Sequence, residues 1–222
     1  LKVVIKISGK FISPLDSPKV KDYATILDGL YSRNHKIAVV VGGGKIARLY
    51  IDQAPDSQGI KDFIGIEASR LNALLLALHM KHSYKKVPKS LNEVVELLST
   101  EKVVVCGGLQ PGQSTNAVSL TLAELLRADL VVNATTVDAI YDRPPHLPGA
   151  KKFERIGYDE LWEILSKETW LQEPGRYELF DMLSLQLAKR SKIPIAVVNG
   201  SKPENVLKAI EEGVYGTLVT GE

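Results

Sequence analysis

Four short apolar runs in this chain are each followed at once by glycine or hydroxyl residues. VVIKI leads into Ser8-Gly9-Lys10, KIAVVV into Gly42-Gly43-Gly44, KVVVC into Gly107-Gly108, and DLVVN into Ala134-Thr135-Thr136. Glycine lets the backbone approach a ligand closely and leaves its N–H unobstructed. Two of the loops run into helical patterns, at Lys45 and at Thr115. The start of a helix offers unpaired N–H groups and a partial positive charge, which suit phosphate. Several such ends around one crevice read as a seat for a polyphosphate or for two phosphate-bearing ligands. Any one loop taken alone also fits a plain βα turn.

The basic residues point the same way. Lys6 interrupts the apolar run VVIKIS. A buried ammonium is costly without an anion; the alternative is an edge strand with Lys6 turned to solvent. Lys10 follows Gly9, and Arg48 lies one turn into the helix after the triple glycine. A guanidinium matches phosphate oxygens in a planar, bidentate way, although a solvated helix charge is the plainer use of Arg48. Backbone donors, Lys, Arg and hydroxyls are the equipment of phosphoryl transfer, which needs positioning and charge neutralisation more than a protein nucleophile.

Other chemistries fit less well. A P-loop needs GxxxxGK before Ser or Thr, and neither Gly9-Lys10 nor Gly44-Lys45 has that spacing. GxGxxA does match at Gly42, Gly44 and Ala47, and Asp62 lies twenty residues past Gly42. The acid of a dinucleotide fold ends a strand, whereas Asp62 opens the helical stretch KDFIGIEASRLNALLL. A dinucleotide-binding oxidoreductase stays as a weaker alternative. His79 and His82 have no companion ligands, His35 and His146 stand alone, and Cys106 reads as a small buried residue. No GxSxG nucleophile elbow occurs.

The elements that would position these loops alternate. Strands are expected at Val3–Ile7, Lys36–Val41, Lys102–Cys106, Asp129–Asn133, Ile193–Val198 and Thr217–Thr220. Helical spacing is seen over Lys19–Tyr31, Lys45–Ala54, Asp62–Met80, from Ser90 through Leu98, and over Thr115–Arg127, Tyr158–Leu165, Tyr177–Lys189 and Glu204–Glu212. Short apolar strands between helices indicate a parallel, helix-covered sheet, and in such sheets ligands bind beyond the carboxyl ends of the strands. Arg143 to Gly149, with three prolines, is the most loop-like stretch and could cover a site. The apolar stripe of the Asp62–Met80 helix is either core or a subunit contact.

The 222 residues fit one domain better than two. With 28 basic and 26 acidic side chains the formal charge is +2, which argues against a dedicated nucleic-acid binder. One Cys excludes a disulfide framework within the chain and any metal site of several thiolates. No apolar run reaches the ~18 residues of a membrane helix. LKVVIKISGKF does not fit a signal peptide, and the expected location is the cytoplasm.

IKISGK, VVVGGGKIARLYI, KDFIGIEASRLNALLL, GGLQPGQSTNAV, ATTVDAIY and YELFDMLSLQLAKRSKIPIAVVN occur in this order over essentially the whole chain. Together they resemble the amino-acid kinase superfamily and, within it, uridylate (UMP) kinases of the archaeal type. The resemblance implies a three-layer α/β/α sandwich with a largely parallel central sheet in a single domain spanning 1–222. Within it, a lobe to about 126 would bind the acceptor UMP and a lobe from about 127 would bind ATP. It implies phosphoryl transfer from ATP to UMP with Mg²⁺, in a homohexamer. By motif, Lys6, Ser8, Gly9 and Lys10 would surround the transferred phosphoryl group, with Lys6, Lys10 and Arg48 catalytic. Gly43 would meet the UMP phosphate, with Gly44 and Arg48 at the phosphate junction. Asp62 would accept hydrogen bonds from UMP ribose, or act only as a helix charge. Leu109, Gln110, Pro111, Gly112, Gln113, Ser114 and Thr115 would wrap UMP. Thr135, Thr136, Tyr141 and the backbone near Pro144 would hold ATP. Asp181 resembles the acid near nucleotide and metal, or is a plain helix Asp. The chain departs from relatives at Asn116, where many have Asp, and at Asp142-Arg143-Pro144-Pro145. Asn116 and this altered loop motivate a second alternative, a non-catalytic nucleotide sensor or storage protein on the same fold.

Overall fold

The computed structural model describes residues 1–143, 147–167, 180–213 and 215–221. Its strands are β1 (Lys2–Ile7), β2 (Lys36–Val41), β3 (Val104–Cys106), β4 (Leu130–Thr135), β5 (Arg155–Gly157), β6 (Ile195–Asn199) and β7 (Thr217–Thr220). Its helices are α1 (Val20–Ser32), α2 (Gly44–Ile51), α3 (Gln58–His79), α4 (Leu91–Leu98), α5 (Thr115–Leu126), α6 (Tyr158–Lys167), α7 (Met182–Ser191) and α8 (Glu204–Glu211), with a 3-10 turn at Gly9–Phe11.

The sheet order is β3-β2-β1-β4-β6-β7-β5. β1, β2, β3, β4 and β6 run parallel; β7 is antiparallel to β6, and β5 is parallel to β7. Parallel strands buried on both faces should be apolar throughout, and β2 and β4 are buried along nearly their whole length. Alternate residues then feed two cores. Val4, Val40 and Val131 pack with Leu120, Leu161 and Leu185 of α5, α6 and α7, whereas Ile5, Val39 and Val132 pack with Leu27, Leu76 and Val206 of α1, α3 and α8. The result is a three-layer α/β/α sandwich with a mostly parallel central sheet.

Lys6 does not lie on an edge strand. β1 sits between β2 and β4, with Lys6 level with Val40 and Asn133, and Lys6 is 6% exposed. Three other expectations are corrected. α3 begins at Gln58, so Asp62 lies in its second turn rather than at its start. β4 runs on to Thr135, which is buried in the sheet rather than free in the following loop. β5 has no counterpart among the expected strands: three residues at the sheet edge carry too short a pattern to read. The helix expected over 177–189 is described from Met182, and its first residues lie outside the described ones.

Candidate active site

Beyond β1 and β2 the two glycine loops are in backbone contact. A Cβ on Gly9 would lie 2.2 Å from the Gly44 nitrogen and 2.4 Å from the Gly42 carbonyl oxygen, and Gly44 has φ of +65°. Neither position accepts a side chain without moving the other loop. The loops are held from the sheet side: Ser8 N–H donates to the Ala134 carbonyl at 2.9 Å and Gly42 N–H to the Ile7 carbonyl at 3.0 Å. Thr115 Oγ1 approaches Gly42, 3.7 Å from where its Cβ would stand. Ser8, Gly9, Gly43, Gly44 and Thr115 thus come together at the strand ends. Two residues back along β1, buried Lys6 shares the face of Val4, the face that α5 covers. Lys10 and Arg48 are exposed.

The start of α2 is not wholly free for phosphate. Asp16 Oδ2 accepts the Lys45 N–H at 2.7 Å, so one first-turn donor already holds an oxygen. Asp16 attracted no notice in the sequence because nothing local links it to α2.

α3 organises the other loops through polar side chains that the sequence reading passed over. Buried Asn72 donates Nδ2 to the carbonyls of Gly42 at 2.9 Å and Gly43 at 3.0 Å. Buried Ser69 accepts the Gly108 N–H at 2.7 Å. Arg70 donates Nε to the Gly108 carbonyl at 3.0 Å and Nη2 to the carbonyls of Lys89 and Leu109, and pairs with Glu67. Gly107 and Gly108 sit so close to α3 that Cβ atoms there would come within 2.6 Å of the Arg70 nitrogen and 2.9 Å of Ile66 Cγ1. The available signal was Ser69, Arg70 and Asn72 interrupting a leucine-rich helix.

The loop from Leu109 to Thr115 is mostly exposed, with Gln110 and Pro111 at its tip. Asp62 Oδ2 accepts the Gly112 N–H at 2.9 Å, which brings α3 to this loop. Gln113 turns its amide onto Thr121 of α5 at 3.1 Å and so away from the loop. Ser114 caps α5 by accepting the Ala117 N–H at 3.0 Å and donates its hydroxyl to Asp181. The other Asp181 oxygen caps α7 by accepting the Ser184 N–H at 2.9 Å, an ordinary structural use of Asp at a helix start. Cys106 is fully buried, and burial pushes its thiol up to about 12, an inert packing residue.

The β4 and β6 ends form a second half of the edge. The Thr135 carbonyl accepts the Gly200 N–H at 2.8 Å, and the buried Tyr23 hydroxyl donates to the Gly200 carbonyl at 2.8 Å. Thr136 is exposed just beyond. Tyr141 donates its hydroxyl to Asp138 at 3.1 Å; burial and then this bond raise its pKa. Asp138 lines a cavity of about 490 Å³ with Lys152, Asn199, Lys202, Asn205 and Tyr215. That is the size of small-ligand sites, and Lys152, Lys202 and Asn205 were not foreseen. The signal existed: Asn199-Gly200 follows an apolar strand just as the other four loops do. Asp142 accepts the Lys151 N–H at 2.8 Å and pairs with Arg143, and these hold its carboxyl below the usual range. It closes its own loop. Pro144 lies outside the described residues.

Glycine loops, a buried Lys and the starts of α2 and α5 thus lie along one edge of a mostly parallel sheet in an α/β/α protein. Residues 2–199 match the amino acid kinase family model, and the chain belongs to that family. It is 58% identical over 217 residues to a uridylate kinase of Ignicoccus hospitalis, covering 98% of each chain. It is 44% identical to a uridylate kinase of Hyperthermus butylicus, covering 99% of this chain and 98% of that one. Its fold matches the crystal structure of uridylate kinase from Archaeoglobus fulgidus with a TM-score of 0.88 and 37% identity, over 99% of this chain and 100% of that one. The dinucleotide reading of Gly42, Gly44 and Ala47 fails on the same geometry, since Asp62 ends no strand and is bonded to Gly112.

Proposed function

We propose that the chain is a UMP kinase that transfers a phosphoryl group from ATP to UMP, giving ADP and UDP. The observation that carries this reading is the contact between the Gly9 and Gly42–Gly44 loops at the strand ends beside Lys6. The full-length relatives named uridylate kinase supply the acceptor. A phosphate oxygen of UMP attacks the γ-phosphorus of ATP in line, the bond to the bridging oxygen breaks, and ADP leaves with that electron pair. No protein nucleophile takes part. Lys6, Lys10 and Arg48 offset the charge on the phosphates, and the Ser8 hydroxyl with the amides of Gly9, Gly43 and Gly44 orients them.

On this reading the lobe to about residue 126 takes UMP. Gly43 meets its phosphate, Asp62 its ribose, and the loop from Leu109 to Thr115 closes around it. The lobe from about residue 127 takes ATP near Thr135, Thr136 and Tyr141, and the cavity beside Asp138, with Lys152 and Lys202 on its wall, is the room it offers. The described residues contain no group of three His, Cys, Asp or Glu able to cage an ion. Mg²⁺ is commonly held by one or two carboxylates and the substrate phosphates. Asp181, beside Ser114, is one carboxylate that would hold it, and Mg²⁺ when bound neutralises phosphate charge.

The same reading makes the protein a cytoplasmic homo-oligomer, a hexamer by family resemblance. Phe63, Leu71 and Leu78 of α3 stand exposed and offer the contact. Among the described residues no helix is long and apolar enough to cross a membrane. A coupled assay of ADP release with UMP, CMP, AMP and isopentenyl phosphate as acceptors tests the function. Turnover is expected with UMP foremost; tight UMP binding without turnover would instead make the chain a nucleotide-binding protein that is not a kinase.

A further inference from the structure

We propose that Asn72 is a positioning residue that turns the amides of the glycine loop toward the UMP phosphate; the proposal rests on the kinase reading above. Asn72 is 1% exposed, in the middle of α3. Its side-chain nitrogen has two hydrogens, and it donates to two successive carbonyls, Gly42 at 2.9 Å and Gly43 at 3.0 Å. In a trans peptide the carbonyl and the following N–H point in opposite directions. Holding the Gly42 carbonyl toward α3 therefore turns the Gly43 N–H away from α3. Holding the Gly43 carbonyl does the same for the Gly44 N–H.

The backbone there has the shape of an anion nest. Gly43 is right-handed, with φ −75° and ψ −29°, and Gly44 is left-handed, with φ +65°. Successive N–H groups in that order converge on one concavity that takes an anion. A second observation shows the concavity at work: the Asp16 carboxylate accepts the third N–H of the series, that of Lys45, at 2.7 Å. Neither the Gly43 nor the Gly44 N–H donates to a protein acceptor among the described residues. Asn72 thus acts from behind the loop. It touches no substrate, and its two bonds keep peptides with no side chains of their own from rotating.

The test compares UMP with uridine, which differ by the phosphate alone. Affinities of the protein for both are measured by titration, beside turnover with ATP and thermal unfolding. In Asn72→Ala uridine binding stays as in the wild type. The UMP-over-uridine ratio falls about tenfold, as expected when charge-assisted bonds are lost. Turnover falls by about 100-fold, the scale for misplacing an oxyanion donor. Asn72→Asp keeps the shape but presents a carboxylate to two carbonyl oxygens. It matches Asn72→Ala at alkaline pH and recovers part of the ratio, relative to Asn72→Ala, as protonation supplies an O–H donor. An unchanged ratio in Asn72→Ala overturns the proposal, as does an equal loss of UMP and uridine binding, the mark of a purely structural side chain. Should Asn72→Ala not fold, Asn72→Asp is read alone, and failure of both to fold also overturns it. A wild-type protein that binds UMP no better than uridine would overturn the kinase reading itself, before any substitution is made.

Discussion

Adding one methyl group at Gly9 tests the arrangement of the site directly. The new Cβ would stand 2.2 Å from the Gly44 nitrogen, 2.4 Å from the Gly42 oxygen and 2.7 Å from the Gly42 carbon, all backbone atoms. Real Cβ atoms essentially never approach within 3.0 Å of a neighbour, so the loops must part by about 0.8 Å. No side-chain rotation relieves this. The strands beneath are paired through Ile7 and Val41 and resist the shift, so the strain falls on the loops. Overpacking of this kind costs about 1–3 kcal/mol, too little to unfold a domain whose two cores lie elsewhere. A displacement near 1 Å between reacting groups, however, costs about 100-fold in rate. Gly9→Ala should therefore fold, with a modestly lowered Tm, and should lose about two orders of magnitude in kcat in a coupled ADP-release assay with UMP. A Gly9→Ala protein with wild-type kcat and native Tm would refute the claim that these loops frame the reacting phosphates.

Three further outcomes follow from other parts of the structure. Lys6→Met, which keeps the aliphatic volume, and Arg48→Ala, on an exposed helix surface, should each lower turnover by about 100-fold or more; near-wild-type activity in both would remove them from the site. Gly29 lies inside α1 with nothing within 4 Å of an added Cβ, so Gly29→Ala should stabilise by about 0.5–1 kcal/mol, read as a Tm rise of about 1–4 °C with unchanged kcat. Glu124 accepts both Arg190 Nε at 2.7 Å and Nη2 at 2.6 Å, as well as the Ser191 hydroxyl, and the Arg190 bonds above all hold its carboxyl below the usual range. That contribution is present above the ordinary Glu pKa and is lost as pH falls through the lowered one. Glu124→Gln should thus unfold at a lower temperature than wild type near neutral pH, with the gap closing in acid; a gap independent of pH would contradict the assignment.

The strand ends are legible in the chain because their signal is local. An apolar β-branched run buried on both faces, then glycine, needs no knowledge of distant residues, and β1, β2 and β3 with their loops could be read that way, whereas β4 has no glycine at its end and runs two residues past Asn133. The same rule reaches Asn199-Gly200 after β6. Period also locates the helices to within a few residues, since an amphipathic stripe is a property of one segment. β5 escapes because three edge residues make no periodic pattern.

What no local pattern contains is which polar group meets which loop. Asn72 bonds to a carbonyl thirty positions back, Asp62 to an amide fifty positions on, and Ser114 to a carboxylate 67 positions on. Asp16 reaches the start of α2 only because the Gly9 and Gly44 turns stack. Lys6 shows the division most plainly. Its presence in an apolar run is visible in the chain, but burial or exposure depends on whether β1 lies at an edge or at the centre. The order β3-β2-β1-β4 puts it at the centre, because neighbours in a sheet are chosen by packing across the whole domain and not by the residues on either side in sequence.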